Sequence, residues 1–600
     1  MKELVLQNII VPKNEICNEE SLYYRKFGYV SVDCENAAFK LNANGRIKFD
    51  TYFNSFSIEK WLKYTKVDQV ILKLLFRGRI TVKLYNSYIR NDRKIEKCTY
   101  EKTYCSKKNE WIEIENKEHS LYGIDSFEIL TDDYAEVKNI KYVTYVDESV
   151  AEFSIALNMC TYKREEYIGR NIKKINEEII NNCSSELYNK VFIYITDNAG
   201  TLDKTLGNSH IKLEKQYGLG STGGFTRGLI NVLKDQCVKK IRYVIMMDDD
   251  IVFDNELIFR TYRFLQMVKS QYANAWLGAS MLNLEEGWLQ HEKGSNYEHG
   301  RYCLKKHNYD VRQKWNVVQN EIEENERINA WWYVAIPLTS ISQKSLPYPM
   351  YFHCDDIEYA LRNCSMLITL NGISVWHKGF RNKYINYYFD ARNNEILFVL
   401  HMQQEAMLSK VIVRAMKWCV GCILRYRYYE AKQIIRAYVD FLAGPELLNS
   451  RRDRNTYETI YLHNKERLKD IDRVARFEIE KKSKCIKETK ISKYLQVLTL
   501  NGWLLPARHS VIVSATDSNN LKDYYRAKKV INFDVARNQY YIETKDVKKT
   551  LGLLIELLIL VIKLMLNYRV VSDMYRNSIS KYISLESWER LFENANRGEV

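Results

Sequence analysis

Three regimes of hydrophobic patterning follow one another along the chain. Up to about residue 150, short runs alternate apolar and polar positions: "RIKFDTYFNSF", "QVILKLLFRGRITVKLYN", "DSFEILTDD" and "IKYVTYVD". Successive side chains of a strand face opposite ways, so a period of two predicts strands with one buried face. Several short runs of this kind predict an antiparallel β-sandwich over residues 1–150. Such a module suits carbohydrate binding or a packing platform.

From about residue 151 the pattern changes to strand, helix, strand. "EFSIALNMCTYKR" predicts a strand running into a loop, "EEYIGRNIKKINEEII" a helix, and "KVFIYITDNAG" and "VKKIRYVIMMDDD" two more strands. This alternation predicts an α/β layer with a mostly parallel sheet over residues 151–395. Ligands gather outside the carboxyl ends of such strands. Polar groups fall at those ends: Thr161 and Arg164, then Asp197 and Asn198, then Asp248, Asp249 and Asp250.

Residues 396–600 read as mostly helical, poor in glycine and rich in basic residues. "RRDRNTYETIYLHNKERLKDIDRVARFEIEKKSK" predicts a solvated, charged helix. The apolar run "LGLLIELLILVIKLMLNYRVV" is interrupted by Glu556 and Lys563. A membrane-spanning helix needs about 20 apolar residues with few charges, so this run predicts a buried or interfacial helix.

Composition narrows the partners. A chain that is 46% hydrophobic and 28% charged is globular, and 600 residues suffice for several domains. A formal charge of +15 points to an acidic substrate, an anionic membrane surface or nucleic acid. Nucleic acid is disfavoured, because no zinc-finger spacing and no RNA-recognition signature is present. Cys419 and Cys422 form the one close cysteine pair, with no second pair to complete a zinc site. The N-terminus lacks a signal-peptide core. These features predict a cytoplasmic protein.

The chemistry begins with the aspartate run. On an extended strand Asp248 and Asp250 face one side and Asp249 the other. Two converging carboxylates suit Mg²⁺ or Mn²⁺, while a solvated acidic turn or a helix cap is the competing reading. His377, in "ISVWHKGF", follows another strand-like stretch. As a ligand it would favour Mn²⁺, whereas a lone histidine is often structural. "QYGLGSTGGFTRGLI" contains a literal GxGxxG at Gly218, Gly220 and Gly223, the fingerprint of a dinucleotide site. The preceding "SHIKLEKQ" is too polar for a buried first strand, and a ribose needs one acid rather than three. The glycines, Gly223 and Gly224 among them, instead predict close approach of backbone to a ligand at a helix N-terminus, or an ordinary turn. "PMYFHCDDIEYALRN" places Asp355, Asp356 and Glu358 at the start of a helix, as caps or as a general base for a hydroxyl. In "NAWWYVAIPL", Trp331, Trp332 and Tyr333 make either a core strand or an aromatic face for a sugar.

The ordered set "CTYKRE", "TDNAG", "GLGSTGGFTRG", "MMDDDI", "WWY", "HCDDIEYALR" and "WHKGF" resembles glycosyltransferase family 2 with a GT-A fold. Within it the chain most resembles the galactan-building galactofuranosyltransferases. The likeness is strong over residues 151–395, and rests at the flanks on architecture and on matches such as "YFNSFSIEKW". It implies a nucleotide-sugar-binding α/β GT-A core between an N-terminal β-sandwich and a C-terminal helical domain. It also implies Mn²⁺ (or Mg²⁺) held by Asp248, Asp250 and His377. Thr161, Arg164, Asp197, Asn198, Gly223, Gly224 and Asp249 would surround the nucleotide sugar. Asp356 would be the base and Asp355 would orient the acceptor. Trp331, Trp332, Tyr333 and Glu292 would line the acceptor site, supported by Arg392 and Asn393 of "YYFDARN". The implied reaction is an inverting transfer of galactofuranose from its UDP donor to a glycan or lipid-linked glycan. Glucose, galactose and rhamnose donors stay open, as do a homo-oligomer and peripheral membrane contact through the basic tail. Cys354 departs from the aromatic or acidic residue expected before the aspartate pair. Two other classes compete: a non-catalytic carbohydrate-binding protein and a nucleotide-dependent oxidoreductase.

Overall fold

The computed structural model describes residues 2–116, 122–147, 150–379, 386–449, 452–470, 498–507, 509–514, 520–534 and 538–597. Its centre is a nine-stranded sheet. The strand order is Ile211–Lys215, Val191–Asp197, Ser154–Thr161, Ile241–Asp248, Tyr333–Pro337, Trp276–Asn283, Leu289–Glu292 and Tyr309–Asp310, with Leu367–His377 also paired to Trp276–Asn283. The first four strands are parallel. Tyr333–Pro337 runs antiparallel to both its neighbours, and Leu367–His377 is again parallel to Trp276–Asn283. The sheet is therefore mixed, where the alternation of strands and helices predicts a mostly parallel one. The reversal brings the start of Tyr333–Pro337, and so Trp331 and Trp332, to the edge where the parallel strands end.

This sheet is the middle of three layers. Along Ser154–Thr161, Ile155, Leu157 and Met159 enter one core, while Ala156 and Cys160 enter another on the opposite face. A strand covered on both faces is apolar throughout, which explains the unbroken hydrophobic runs of the sequence. Ile211–Lys215 pairs with one strand only and sits at the edge. That position accounts for the polarity of "SHIKLEKQ".

The N-terminal layer is antiparallel, as its period of two predicts. It is one connected nine-stranded sheet rather than two separate ones. Its spine is the hairpin of Ile71–Arg90 and Arg93–Glu115. Ile71–Arg90 changes its second neighbour part-way, from Ala135–Val146 to Ile124–Leu130. Gly78 marks the change: its φ is +103°, and a Cβ there would lie 2.3 Å from the Tyr134 carbonyl oxygen. Arg93–Glu115 is largely exposed and charged, so it shows no hydrophobic period to read. The layer is tied to the helix Glu256–Met267 of the central domain by buried and part-buried polar bonds. Asn8 donates to Glu256 through its backbone N–H and its amide, both at 2.9 Å. Arg260 donates to the Phe53 and Asn8 carbonyls at 2.8 Å.

The other face is covered by the helices Asn386–His401, Leu408–Leu424, Tyr428–Leu442 and Val547–Tyr582. Asn386–His401 runs straight through the expected boundary at residues 395 and 396. The C-terminal region also holds a small sheet of Lys469–Asp470, Gln539–Thr544, Ala527–Asp534 and His509–Ser514. It is thus not purely helical. The charged segment forms Arg452–Arg467, with Asp453, Thr456 and Asn464 buried, so it is not solvated all round. Residues 471–484 of that segment lie outside the described residues. Val547–Tyr582 is long and apolar enough to cross a membrane by length and composition. One face of it packs into the core through Leu553, Leu557, Leu560 and Leu564.

Candidate active site

The acidic strand Ile241–Asp248 ends at Asp248, so Asp249 and Asp250 lie in a bend beyond it. Strict alternation does not apply there, yet Asp248 and Asp250 still converge. Donor atoms of Asp248, Asp250 and His377 all lie within 4.8 Å of one another. The histidine is delivered by chain pairing. Val252 and Trp376 exchange two backbone hydrogen bonds of 2.8 Å, which pins the start of the "WH" pair beside the acidic bend. His377 Nδ1 lies 2.7 Å from the Lys378 carbonyl, and Nε2 lies 3.2 Å from Asp250 Oδ1. With Nδ1–H donating to the carbonyl, Nε2 is the nitrogen turned to the carboxylates.

The electrostatics fit a cation. Burial, then the neighbouring Asp250, push the Asp248 carboxyl up to about 8. Burial works the same way on Asp250, but His377 and Arg164 overcome it and hold that group down to about 2. Burial would lower His377, but Asp250 and Asp248 draw it up to about 9. Oδ1 of Asp250 is buried, and His377 Nε2 is its near neighbour among the described residues. Two carboxylates and an imidazole make a donor set suited to Mn²⁺, and more weakly to Mg²⁺. A bound divalent ion would displace the protons that these groups now share.

Arg164 bridges Asp249 Oδ1 and Asp250 Oδ2, at 2.9 Å each. Thr161 is buried at the end of its strand, beside Asp249. Asp197 spends both oxygens on its own loop, accepting from Ala199 and Gly200 on Oδ1 and from Leu202 on Oδ2. It shapes the loop rather than presenting a free carboxylate. Asn198 donates to Cys160 Sγ at 3.1 Å and to the Gly220 carbonyl at 2.9 Å.

The glycines of this stretch differ in what they face. A Cβ on Gly224 would lie 2.2 Å from Cys160 Sγ, and one on Gly228 would lie 1.9 Å from Asn158 Oδ1. Gly223 is similarly closed off by Leu219 and Gln216. Gly224 and Gly228 let the helix Gly220–Asp235 press onto Ser154–Thr161, whereas within the GxGxxG Gly223 faces its own helix start and Gly220, at φ +64°, faces the Tyr351 carbonyl.

Asp355 and Asp356 open the helix Asp355–Asn363. Thr222, in the first turn of the packed helix, donates to Asp355 Oδ2 at 2.7 Å. Asp356 Oδ1 accepts from the Ile357 N–H at 2.8 Å. Burial, then Asp355, push Asp356 up to about 7. The loop before them is strained: Tyr351, His353 and Cys354 all have φ near +68°, a region that non-glycine residues rarely occupy. Asn393 holds it by donating to the carbonyls of Met350, Phe352 and His353 at 3.2, 2.8 and 2.9 Å. Arg392 donates to Met350 as well and is itself paired with buried Asp453. Both supporting residues therefore act through the loop. His353 Nδ1 pairs with Asp390 at 3.0 Å, a contact the sequence reading missed.

Glu292 ends the strand Leu289–Glu292, wholly buried. Tyr302 lies with its hydroxyl 3.1 Å from both carboxylate oxygens. Burial pushes Glu292 up to about 8, and the charge of Asp356 adds to the shift, so the two acids share one neighbourhood. Tyr302 lies in "RYCL", a stretch with no motif to mark it. The tryptophans divide. Trp331 packs edge-on against Phe225 and Tyr359, with ring centroids at 5.1 and 5.9 Å. Trp332 enters the opposite core, and its carbonyl accepts from Asp248 N–H at 3.3 Å. Tyr333 is fully buried and donates to Thr261 Oγ1 at 3.0 Å. It is a core residue, and the expected acceptor-lining role is corrected for it.

Three comparisons bear on this site. Residues 6–145 match the model of the galactofuranosyltransferase 2 N-terminal family. The galactofuranosyltransferase GlfT2 of Mycolicibacterium smegmatis is 23% identical over 444 residues, 68% of this chain and 66% of its own length. GlfT2 of Mycobacterium tuberculosis is 23% identical over 442 residues, 68% of this chain and 67% of its own. The chain thus spans about two thirds of the length of these relatives. A solved family 29 carbohydrate-binding module is 12% identical, covers 24% of this chain and 96% of its own, and has a TM-score of 0.17, too slight a likeness to carry an argument. On these findings the chain is similar to the galactofuranosyltransferases.

Proposed function

We propose that the protein is a glycosyltransferase that moves galactofuranose from its UDP-linked form to a hydroxyl of a growing glycan. The observation that carries this reading is the convergence of Asp248, Asp250 and His377 at the edge where the parallel strands end. The relatives named galactofuranosyltransferase supply the sugar class. The strand order also suits a GT-A core, in which a nucleotide lies across the ends of Ser154–Thr161 and Val191–Asp197.

In this reading Asp248, Asp250 and His377 hold Mn²⁺ or Mg²⁺. When bound, such an ion supplies charge neutralisation for a leaving diphosphate. Arg164 lies against the same carboxylates and can turn from them to a phosphate. Asp356 takes the proton from the acceptor hydroxyl as that oxygen attacks the anomeric carbon. A base of pKa near 7 is matched to that task at neutral pH. A single displacement from the face opposite the diphosphate inverts the anomeric centre. Glu292, at about 8, is neutral at pH 7 and offers a hydrogen bond to the acceptor rather than a second base.

The test is transfer from UDP-galactofuranose to a short galactofuranose-terminated acceptor, followed by mass spectrometry with Mn²⁺ or with chelator. Asp356→Asn is expected to abolish transfer, by at least about a thousandfold, while UDP binding in the presence of Mn²⁺ is retained. Turnover that persists in Asp356→Asn, or that ignores chelator, would refute the assignment.

A further inference from the structure

His353 stands just before Asp355 and Asp356, in the left-handed loop that turns into their helix. Its Nδ1 lies 3.0 Å from Asp390 Oδ1, and both side chains are half-buried. Asp390 and Asn393 are three residues apart on Asn386–His401, so they share one face of that helix. Asn393 holds the backbone of the loop, donating to the His353 carbonyl at 2.9 Å, and Asp390 holds the ring. A non-glycine residue at φ +67° is unfavourable, and this helix fixes it from two positions.

The charged groups that face the imidazole are carboxylates: Asp390 from the helix, then Asp355 and Asp356 from its own segment. Burial would lower the ring, but these acids, Asp390 first, draw it above its ordinary value. The adjacent Cys354 stays a thiol, pushed well up by burial and then by Asp390. Adjacent carboxyls disfavour one another's ionisation. Around this pair stand Thr222, which donates to Asp355, and Glu292 with Tyr302, which face Asp356; none of them brings positive charge. The guanidinium groups of the same helix and of Asn386–His401 are spent elsewhere: Arg362 pairs with Glu358 at 2.8 Å, and Arg392 with Asp453. His353 acts on Asp356 directly, offsetting part of what burial and Asp355 do to that carboxyl. A carboxylate on Nδ1–H orients the ring and supports its charged form.

We propose that His353, anchored by Asp390, is a positioning residue of the transfer reaction: its imidazolium offsets the paired charges of Asp355 and Asp356 and holds the acceptor base in its reactive form. The inference rests on Asp356 being that base. A cation taken from beside a carboxylate makes the carboxylate harder to ionise. Loss of His353 therefore shifts the base upward, whereas loss of the Asp355 charge shifts it downward.

The experiment is kcat against pH for the full chain, at saturating UDP-galactofuranose and Mn²⁺. In His353→Gln the acid limb should move up by about one pH unit, which lowers the rate about fivefold at pH 7 and leaves the alkaline plateau in place. His353→Lys keeps a cation and should hold the limb near wild type. Asp390→Asn should move the limb in the same direction as His353→Gln, by less. Circular dichroism checks that each variant is folded. A second measurement needs no turnover: NMR of ¹³C-labelled histidine, with the His353 signal assigned by its loss in His353→Gln. That ring should titrate above the ordinary histidine value, and lower by about half a unit or more in Asp356→Asn and in Asp390→Asn. An unmoved limb in His353→Gln, a His353→Lys profile that follows His353→Gln, or an imidazole indifferent to Asp356→Asn or Asp390→Asn would overturn the proposal. Transfer that persists in Asp356→Asn would show separately, as failure of the base assignment, while the histidine titration still decides the coupling.

Discussion

Asp356 shows how one residue is tuned by its surroundings. Its side chain sits at the start of a helix, where the dipole favours the charged form. Burial and the adjacent Asp355 outweigh that preference and bring it to about 7. A base works only when ionised, so transfer should fall as pH drops through about 7 and level off above it. Asp355→Asn removes the like charge, so the neighbouring carboxyl becomes easier to ionise. The acid limb of the rate profile should then move down by about one pH unit, measured as kcat against pH at saturating donor. An unmoved limb would assign that ionisation to another group. The pair "DD" was readable in the sequence as a cap or a base. Thr222 and Tyr302, which fix the two acids around it, were not, because a lone Thr or Tyr has no pattern until the fold sets it opposite a carboxylate.

At the scale of elements, the helix Asn386–His401 controls the approach to these acids. Three left-handed residues in 351–354 are an unfavourable conformation for a free loop. Asn393 compensates with a single amide that serves three carbonyls. Asn393→Ala should cost about 1–3 kcal/mol, the penalty for leaving buried carbonyls unsatisfied. It should also lower kcat more than it changes donor KM, because the loop positions Asp355 and Asp356 and not the nucleotide. Thermal unfolding and steady-state kinetics read the two effects, and an unchanged kcat would show that the loop holds itself. The glycine-rich helix start teaches a related point. Two glycines just beyond the literal fingerprint, Gly224 and Gly228, let helix and strand touch, with Cys160 and Asn158 filling the space a Cβ would need.

For the molecule as a whole, the decisive contacts are those that lock the layers together. Glu321 is buried between Lys60, at 3.5 Å, and Lys293, at 3.2 Å. Lys60 belongs to the N-terminal layer through the helix Ile58–Tyr64, whereas Lys293 follows Glu292 directly. Asn371, on Leu367–His377, donates its backbone N–H to the same carboxylate at 2.6 Å. Removing the shared anion takes away the carboxylate that both buried lysines face. Glu321→Ala should therefore destabilise the fold by about 3–5 kcal/mol, seen as a lower midpoint in urea. Adding Lys293→Met should recover part of that loss, and a double variant no better than the single one would argue against charge as the cause.

The order of elements followed from local chemistry alone. Period-two runs marked N-terminal strands, unbroken apolar runs marked the buried central strands, and polar residues at the strand ends marked the edge that carries the candidate site. The residue types able to bind a cation or act as a base were likewise visible in Asp248, Asp250, His377 and Asp356. Tertiary structure alone decided which of them meet. Asp248 and Asp250 converge although the strand stops at Asp248, and His377 reaches them because Val252 pairs with Trp376. Tyr333 and the glycines were claimed by packing, and Asp197 by its own loop. The physical reason is that periodicity reports how a segment meets its immediate surroundings, whereas convergence of distant side chains depends on strand pairing and burial that no local window contains.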